Sequence, residues 1–502
     1  MTSLEAELEL LNMDQVKIDP GWALRIPPQL ALRRQLLPFA KIGDKVLVAC
    51  RDAADAQGLQ AVERYVESPV EPQLADPESL DRAIGRVFRD AALGSTNPAA
   101  PLRTSFAARP GTAEQEGGDV VALGDEIFHA AHIRQATDIH IEPGENDVRV
   151  RLRVDGVMEE YRRIPAAIHQ GLISRLKVLA GMDIAERRAP QDGRFSIGAD
   201  PGPAIDVRAA TIPTKHGERM TLRLLATTTQ QLTLESLGMS VRDLKLFEQA
   251  IEQPNGLIVL TGPTGCGKTT TLYAALRLLI SRRSLNVITI EDPVEYVIDG
   301  VSQVEVDAAD KVSFHKALRA VLRHDPDVLM IGEIRDEETA EIAVKAALTG
   351  HLVFTTLHTN SAITTVSRLV DMGIKPFLVG AISRLYLAQR LVRKICPNCG
   401  TPRTLSDEQA AGLGRPELAG TTVFEPAGCK YCAGTGIAGR TGIFELISFD
   451  RNLAKLVADR KSETDIVHYL SASGNPFLLD DAIEKLRAGV TTCEELVGTV
   501  SL

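Results

Sequence analysis

Apolar and polar positions change period several times along the chain, and each change marks a different structural unit. Within Glu78 to Phe88, Leu80, Ile84 and Val87 recur at helical spacing, while Lys45 to Ala49 is a short apolar run of strand type. Together they predict a small α/β domain over residues 1–92. From Leu93 to Gly118 the chain reads LGSTNPAAPLRTSFAARPGTAEQEGG, dense in small and turn-forming residues with few large apolar ones, so 93–118 is expected to be a flexible linker. A helix is then predicted over Ala122 to Gln135 and another over Leu172 to Leu179. Three segments of period two, Asp147 to Gly156, Ala204 to Thr211 and Glu218 to Leu225, read as half-buried strands. That mixture is an α+β domain over 119–230. Farther on, uniformly apolar strands at Leu257 to Leu260, Val287 to Ile290, Val328 to Ile331 and Leu352 to Thr355 alternate with helices, the pattern of a largely parallel sheet within 231–502.

Length and charge narrow the partners. A chain of 502 residues exceeds one hydrophobic core, in keeping with several domains. Its net charge of −10 lacks the cationic excess that a phosphate backbone attracts, and no aromatic and basic stacking platform stands out, so nucleic acid is not an expected partner. The start, MTSLEAELELLNM, is acidic rather than signal-like, and no run reaches the roughly 18 apolar residues of a spanning helix. The expected location is cytoplasmic. The seven cysteines are too sparse for a disulfide framework, and four of them form two Cys-x-x-Cys pairs.

The segment GPTGCGKTT, from Gly262 to Thr270, follows an apolar strand and opens a helix, the context a phosphate-binding loop requires. Gly262, Gly265 and Gly267 let backbone N–H groups converge on phosphate oxygens, with Pro263, Thr264, Cys266 and Thr270 completing the loop. Lys268 places a cation at the β and γ phosphates of ATP, and Thr269 is placed to ligate Mg²⁺. VLMIGE ends a strand on Glu333, the candidate acid on the metal side. ITIEDPVEY places Glu291, Asp292 and Glu295 past another strand, where one of them can activate water. His351 and His358 bracket the strand in TGHLVFTTLHT, and a histidine at such a strand end can sense the γ-phosphate. Cys396, Cys399, Cys429 and Cys432, with 29 residues between the pairs, suit a tetrahedral Zn²⁺ site over 394–436; redox-active dithiols are the rival.

The ordered set GPTGCGKTT, ITIEDPVEY, LRHDPDVLMIGEIRD and TGHLVFTTLHT resembles the type II secretion and type IV pilus assembly ATPases. DIHIEP, RLRVDG, PQDGR and HGERMTLRLL upstream match the same family, which the chain resembles strongly over about 120–450 and loosely over its first 90 residues. The resemblance implies a RecA-like P-loop core behind an α+β domain and a small α/β amino-terminal domain, with a tetracysteine zinc element and a helical region over 445–502. It further implies a homo-hexameric motor, peripheral at the inner membrane. Residues 1–92 would dock on the cytoplasmic part of an inner-membrane secretion assembly protein, and an inner-membrane platform protein would be a second partner. Glu295 becomes the favoured water activator and Glu333 the Mg²⁺ acid, although the residues alone permit the reverse.

Arg208 and Arg223, on two of the strands of period two, match family arginines directed at the nucleotide, in cis or in trans. Arg319, Arg323 and Arg368 match nucleotide-proximal positions of the core. The zinc element favours secretion or pilus extension over retraction, and the single short amino-terminal module favours the secretion branch. No convincing copy of the Arg-Leu-Gly and Leu-rich pattern of cyclic di-GMP binders occurs in that module, so this ligand is not expected. A regulatory subunit that binds ATP without turnover is the alternative from another functional class, and the intact Lys268, Thr269, Glu295 and Glu333 argue against it.

Overall fold

The computed structural model describes residues 10–92, 120–198, 205–225, 233–306 and 314–500. The expected linker over 93–118 lies outside the described residues. The chain divides into two compact units, the first comprising residues up to 227 together with 396–400 and 426–438.

The first unit holds two sheets. In the smaller one, β1 (Leu36–Ile42) runs antiparallel to β2 (Lys45–Cys50), and β2 pairs in parallel with β3 (Val70–Leu74). Leu36 to Ala40 are all buried, because β1 lies between other elements and has no solvent face along that stretch. The helix Pro77–Ala92 lays Leu80, Ile84 and Val87 on the same core as Leu11, Met13 and Phe39, as its apolar period requires. The larger sheet is antiparallel throughout, in the order β6 (Val157–Pro165), β5 (Asp147–Val154), β4 (Asp138–Pro143), β9 (Gly217–Leu225), β8 (Ile205–Thr214), β7 (Gln191–Ile197). Ile127 and Phe128 of helix Val120–Ile133 pack with Leu172, Ile173 and Leu176 of helix Ala166–Leu179 in the core beneath it. Lys177 is buried there, where it donates to the Glu186 carbonyl at 2.6 Å and pairs with Glu218, the partners that make a buried cation tolerable.

The second unit is built on a seven-stranded sheet. Its strands are β10 (Gly256–Thr261), β11 (Val287–Glu291), β12 (Ser302–Glu305), β13 (Val328–Ile331), β14 (Leu352–Leu357), β15 (Ser383–Ile395) and, after the two-stranded β16 (Gly400–Thr404) and β17 (Thr422–Pro426), β18 (Ile437–Ser448). The order is β12-β11-β13-β14-β10-β15-β18, and the strands from β12 to β15 are mutually parallel. β10, β11, β13 and β14 are buried on both faces, which is why they read as unbroken apolar runs. Parallel strands share one carboxyl edge, and the order reverses around β10, so ligand chemistry belongs at that edge. No helix among the described residues is long and apolar enough to cross a membrane.

By contacts, residues 396–400 and 426–438 group with the first unit, whereas the sequence assigns the whole zinc element to the ATPase domain. The reason is side-chain packing: Tyr431 and Ala433 join the core of the amino-terminal domain.

Candidate active site

The phosphate loop leaves β10 at Thr261 and closes on the helix Lys268–Arg282. Gly262, Gly265 and Gly267 have φ of 144°, 78° and 91°, a region that side chains strain to adopt. A Cβ on Gly262 would meet the Gln389 carbonyl oxygen at 2.4 Å, so the turn also requires a residue without a side chain. Pro263, Thr264 and Gly265 are exposed, Cys266 is buried, and Thr269 and Thr270 are partly buried on the first helical turn. Lys268 is itself buried and donates to the carbonyls of Gly262 at 2.8 Å and Pro263 at 3.0 Å. Burial pushes its ammonium below the ordinary lysine range, opposed by Cys266 and by the negative charge of Glu333. Its donors rest on loop carbonyls in a loop whose backbone is arranged for anions.

The neighbouring strand ends are stitched to this loop. Thr261 Oγ1 lies 2.6 Å from Thr359 Oγ1 and accepts from the Thr359 N–H at 2.8 Å, so the segment after β14 is tied to the end of β10. Thr356 Oγ1 donates to the Gly332 carbonyl at 2.7 Å, fixing β14 to the end of β13. His358 and Glu333 thus meet, with Nε2 3.0 Å from the carboxylate, and Arg335 is a second partner of the same group. A phosphate loop, an acid and a histidine share one edge, an arrangement that suits the phosphates of a nucleotide and their Mg²⁺.

His351 requires a correction. It precedes β14, and β14 runs parallel to β10 in the register Gly256 with Leu352 and Thr261 with Leu357. Six residues of strand, about 20 Å at 3.3 Å per residue, separate it from the phosphate edge of its own chain. There its Nδ1 is 2.9 Å from the Ala346 carbonyl at the end of helix Glu337–Leu348, a structural contact. Glu291 is also drawn inward: its buried carboxylate accepts from Tyr273, from Thr289 Oγ1 at 2.7 Å and from Gln303 Nε2 at 3.1 Å. These bonds brace β11 at its carboxyl end. Glu295 follows the strand end, partly buried, and its N–H donates to the Tyr273 hydroxyl at 3.3 Å.

Arg319 pairs with Glu338 at 2.6 Å and is mostly exposed, and Arg323 and Arg368 are exposed as well. In the first unit Arg208 and Arg223 lie directly opposite one another on β8 and β9. The register extends the row to Arg194 on one side and to Asp138 and Arg153 on the other. Arg223 Nε donates to Asp138 at 3.1 Å, and Arg153 lies 3.6 Å from the same carboxylate. Strand alternation alone does not reveal that Arg194 and Arg153 share this face; the pairing does. Gln389 and Arg390 escape sequence reasoning too. Gln389 accepts from Thr271 Oγ1 at 2.8 Å, and the buried Arg390 donates to the carbonyls of Gln389 at 3.1 Å and Asn360 at 3.0 Å. Two polar residues interrupting the apolar run of β15 were the available signal.

The four paired cysteines come together in the first unit, with all four Sγ atoms within 4.8 Å of one another. Adjacent Sγ separations are 3.9 Å for Cys396 and Cys429, 3.8 Å for Cys399 and Cys432, and 3.7 Å for Cys429 and Cys432. Zinc–sulfur bonds of about 2.3 Å give a tetrahedron with edges of about 3.8 Å, so the set fits that ion. Burial raises the Cys396 thiol to about 12, whereas at Cys432 the N–H groups of Cys429 and Gly436 outweigh burial and hold the thiol below its ordinary value. Those N–H groups reach Cys432 Sγ at 3.1 and 3.0 Å, as they would a thiolate.

A parallel sheet with a glycine-bent phosphate loop at its carboxyl edge, an acid past the end of β13, one strand removed from that loop, and a histidine past β14 against that acid define a P-loop nucleoside triphosphatase. Residues 113–498 match the family model described as type II/IV secretion system protein, and residues 6–92 match the MshEN domain. The chain belongs to the type II/IV secretion system protein family, and it is an ATPase. It is 41% identical over 483 residues to type II secretion system protein E of Pseudomonas aeruginosa, covering 94% of this chain and 95% of that protein. It is 38% identical over 502 residues to the type IV pilus assembly ATPase PilB of Myxococcus xanthus, covering 98% and 88%. Among solved structures it resembles the pilus retraction motor PilT with bound ADP at 28% identity and a TM-score of 0.52, covering 74% of this chain and 94% of that one. The Legionella pneumophila ATPase DotB shares the fold, with a TM-score of 0.57, 23% identity and coverage of 74% and 94%.

Proposed function

We propose that this ATPase powers type II secretion, driving pseudopilus assembly from the cytoplasmic face of the inner membrane as a homo-hexamer. The observation that carries this is the match to a type II secretion protein over 94% of the chain, joined to an intact phosphate loop with Glu333 and His358 beside it. Type IV pilus extension is the second reading, supported by the match to PilB over 98% of the chain.

In this reading the loop from Gly262 to Thr270 grips the phosphates and Lys268 moves from its loop carbonyls to the β and γ oxygens. Bound Mg²⁺ would neutralise developing charge on those oxygens, held by Thr269 and Glu333. Glu295 activates water, and His358, held by Glu333, reports on the γ-phosphate. Arg208 and Arg223 supply positive charge to the nucleotide, in cis or in trans, so that hydrolysis changes the angle between domains. Cys396, Cys399, Cys429 and Cys432 would hold one Zn²⁺ as a closed structural site. Residues 1–92 dock on the cytoplasmic part of an inner-membrane assembly protein, and an inner-membrane platform protein receives the stroke.

The test is ATP turnover by the purified full chain and by Glu295→Gln. The variant should bind nucleotide normally and hydrolyse it at least ~10²-fold more slowly. A rate within a few-fold of the parent would transfer water activation to Glu333. In cells lacking the native protein, restored export of secreted enzymes without restored pili supports the secretion branch, and the opposite outcome selects pilus extension.

A further inference from the structure

Among the described residues, the tetracysteine knuckle touches the amino-terminal domain at Lys17, Lys41 and Gln73. Lys430 and Tyr431, the two residues enclosed by Cys429 and Cys432, make the contact. The Lys17 N–H donates to the Tyr431 carbonyl at 2.7 Å, and Lys430 Nζ reaches the Gln73 side-chain oxygen at 3.3 Å. Tyr431 and Ala433 pack on the core that contains Met13, Val16 and Ile18. A Cβ on Gly434 would come within 3.8 Å of the Lys41 carbonyl oxygen, so the knuckle backbone lies close along this surface.

The stretch of the amino-terminal domain that receives the knuckle is also held from the other side. Asp19, two residues beyond Lys17, pairs with Arg134 at 2.5 Å, just past the helix Val120–Ile133, and His129 Nε2 lies 2.8 Å from the Val87 carbonyl. Trp22, the only tryptophan in the chain, sits in the same stretch with the Arg25 guanidinium 4.1 Å and the Lys41 ammonium 5.3 Å from its ring.

We infer that the tetracysteine knuckle is an internal docking site for this chain's own amino-terminal domain, with Tyr431 as its contact residue and the metal as the element that sets its shape. The physical argument rests on the position of the acceptor. A carbonyl enclosed between two ligands of one ion has its direction fixed by ligation, since both flanking sulfurs are pinned at tetrahedral spacing. Without the ion, four thiols have no attraction strong enough to hold that turn, and a two-residue loop gives up the ordering that a docking contact needs. The strength of attachment of the domain therefore follows metal occupancy. This inference rests on the proposed zinc site, and the experiment separates the two.

Zinc content of the full-length protein is measured first, by elemental analysis. Hydrogen exchange of the peptide containing Lys17 and the emission of Trp22 are then followed in four samples: the parent, the parent after chelation, the chelated parent given zinc back, and Tyr431→Asp. Chelation should speed exchange at Lys17 at least ~10-fold, through local opening, and shift the Trp22 emission. Returned zinc should restore both. Tyr431→Asp should retain about one zinc per chain yet exchange like the chelated parent. Protein that contains zinc but keeps Lys17 equally protected after chelation, or in Tyr431→Asp, overturns the docking site and leaves the metal site standing. Protein without zinc, even after incubation with it, overturns both.

Discussion

Replacing Lys268 by alanine should abolish catalysis while leaving the fold almost untouched, and the structure supplies both magnitudes. Lys268 is buried, its donors rest on two loop carbonyls, and no carboxylate among the described residues forms an ion pair with it. Its removal loses two hydrogen bonds but also relieves a desolvated cation, so the net stability change should stay near ~1 kcal/mol. For a protein of this size that shifts the melting temperature by no more than about 4 °C. With ATP present the balance differs. A unit charge about 4 Å from a phosphate oxygen is worth about 4 kcal/mol at an effective dielectric of about 20. At 1.36 kcal/mol per decade, losing it from the transition state lowers the rate about 10³-fold. Phosphate release measured beside differential scanning fluorimetry checks the two figures together. A variant that melts normally and turns over within tenfold of the parent would show that this lysine is not the phosphate cation. A variant that melts more than about 10 °C lower would show that its loop contacts, and not its charge on phosphate, dominate.

Arg208→Ala and Arg223→Ala should keep nucleotide affinity within an order of magnitude yet lose turnover, as expected when an arginine acts mainly on the transition state; equal specific activities in both variants and the parent would place the missing cation elsewhere. Turnover of the parent should rise with protein concentration as rings assemble, and a flat dependence would contradict the oligomeric motor. Stability of the first unit should fall as pH drops below about 6.5. Burial depresses the titration of His132 and His140 from that ordinary value, so the unfolded chain binds protons there before the folded one does. The loss begins at the unfolded pKa and continues down to the depressed folded values; His140→Gln should flatten the slope between pH 6.5 and 5, and an unchanged slope would remove His140 from the account.

Much of the fold can be read from the chain because its elements are amphipathic or wholly buried in characteristic ways. The α/β alternation beyond 250 marks a parallel sheet, and GPTGCGKTT is local by nature, since one loop supplies most of its ligands. What the sequence hides is anything that depends on register. His351 and His358 flank one strand and look equivalent as letters, but strand direction sends them to opposite edges. Glu291 and Glu295 stand four residues apart, yet Tyr273, Thr289 and Gln303 claim the first for the interior. Leu36–Ile42 escapes as a strand because burial on both faces removes its alternation and Pro38 interrupts it. The cysteine spacing announces that the four thiols cluster, but nothing in it announces that Tyr431 packs against a core formed some 400 residues earlier.

The arginine row across β7, β8, β9 and β5 makes its members depend on one another. Residues directly opposite on neighbouring strands hold their Cβ atoms about 5 Å apart, and like charges at that distance oppose sheet formation. Arg194, Arg208 and Arg223 follow one another at that interval, and within the row Arg223 Nε donates to the Asp138 carboxylate at 3.1 Å. Because each member touches the next across a strand boundary, replacing two of these arginines together should change stability by an amount that differs from the sum of the single replacements.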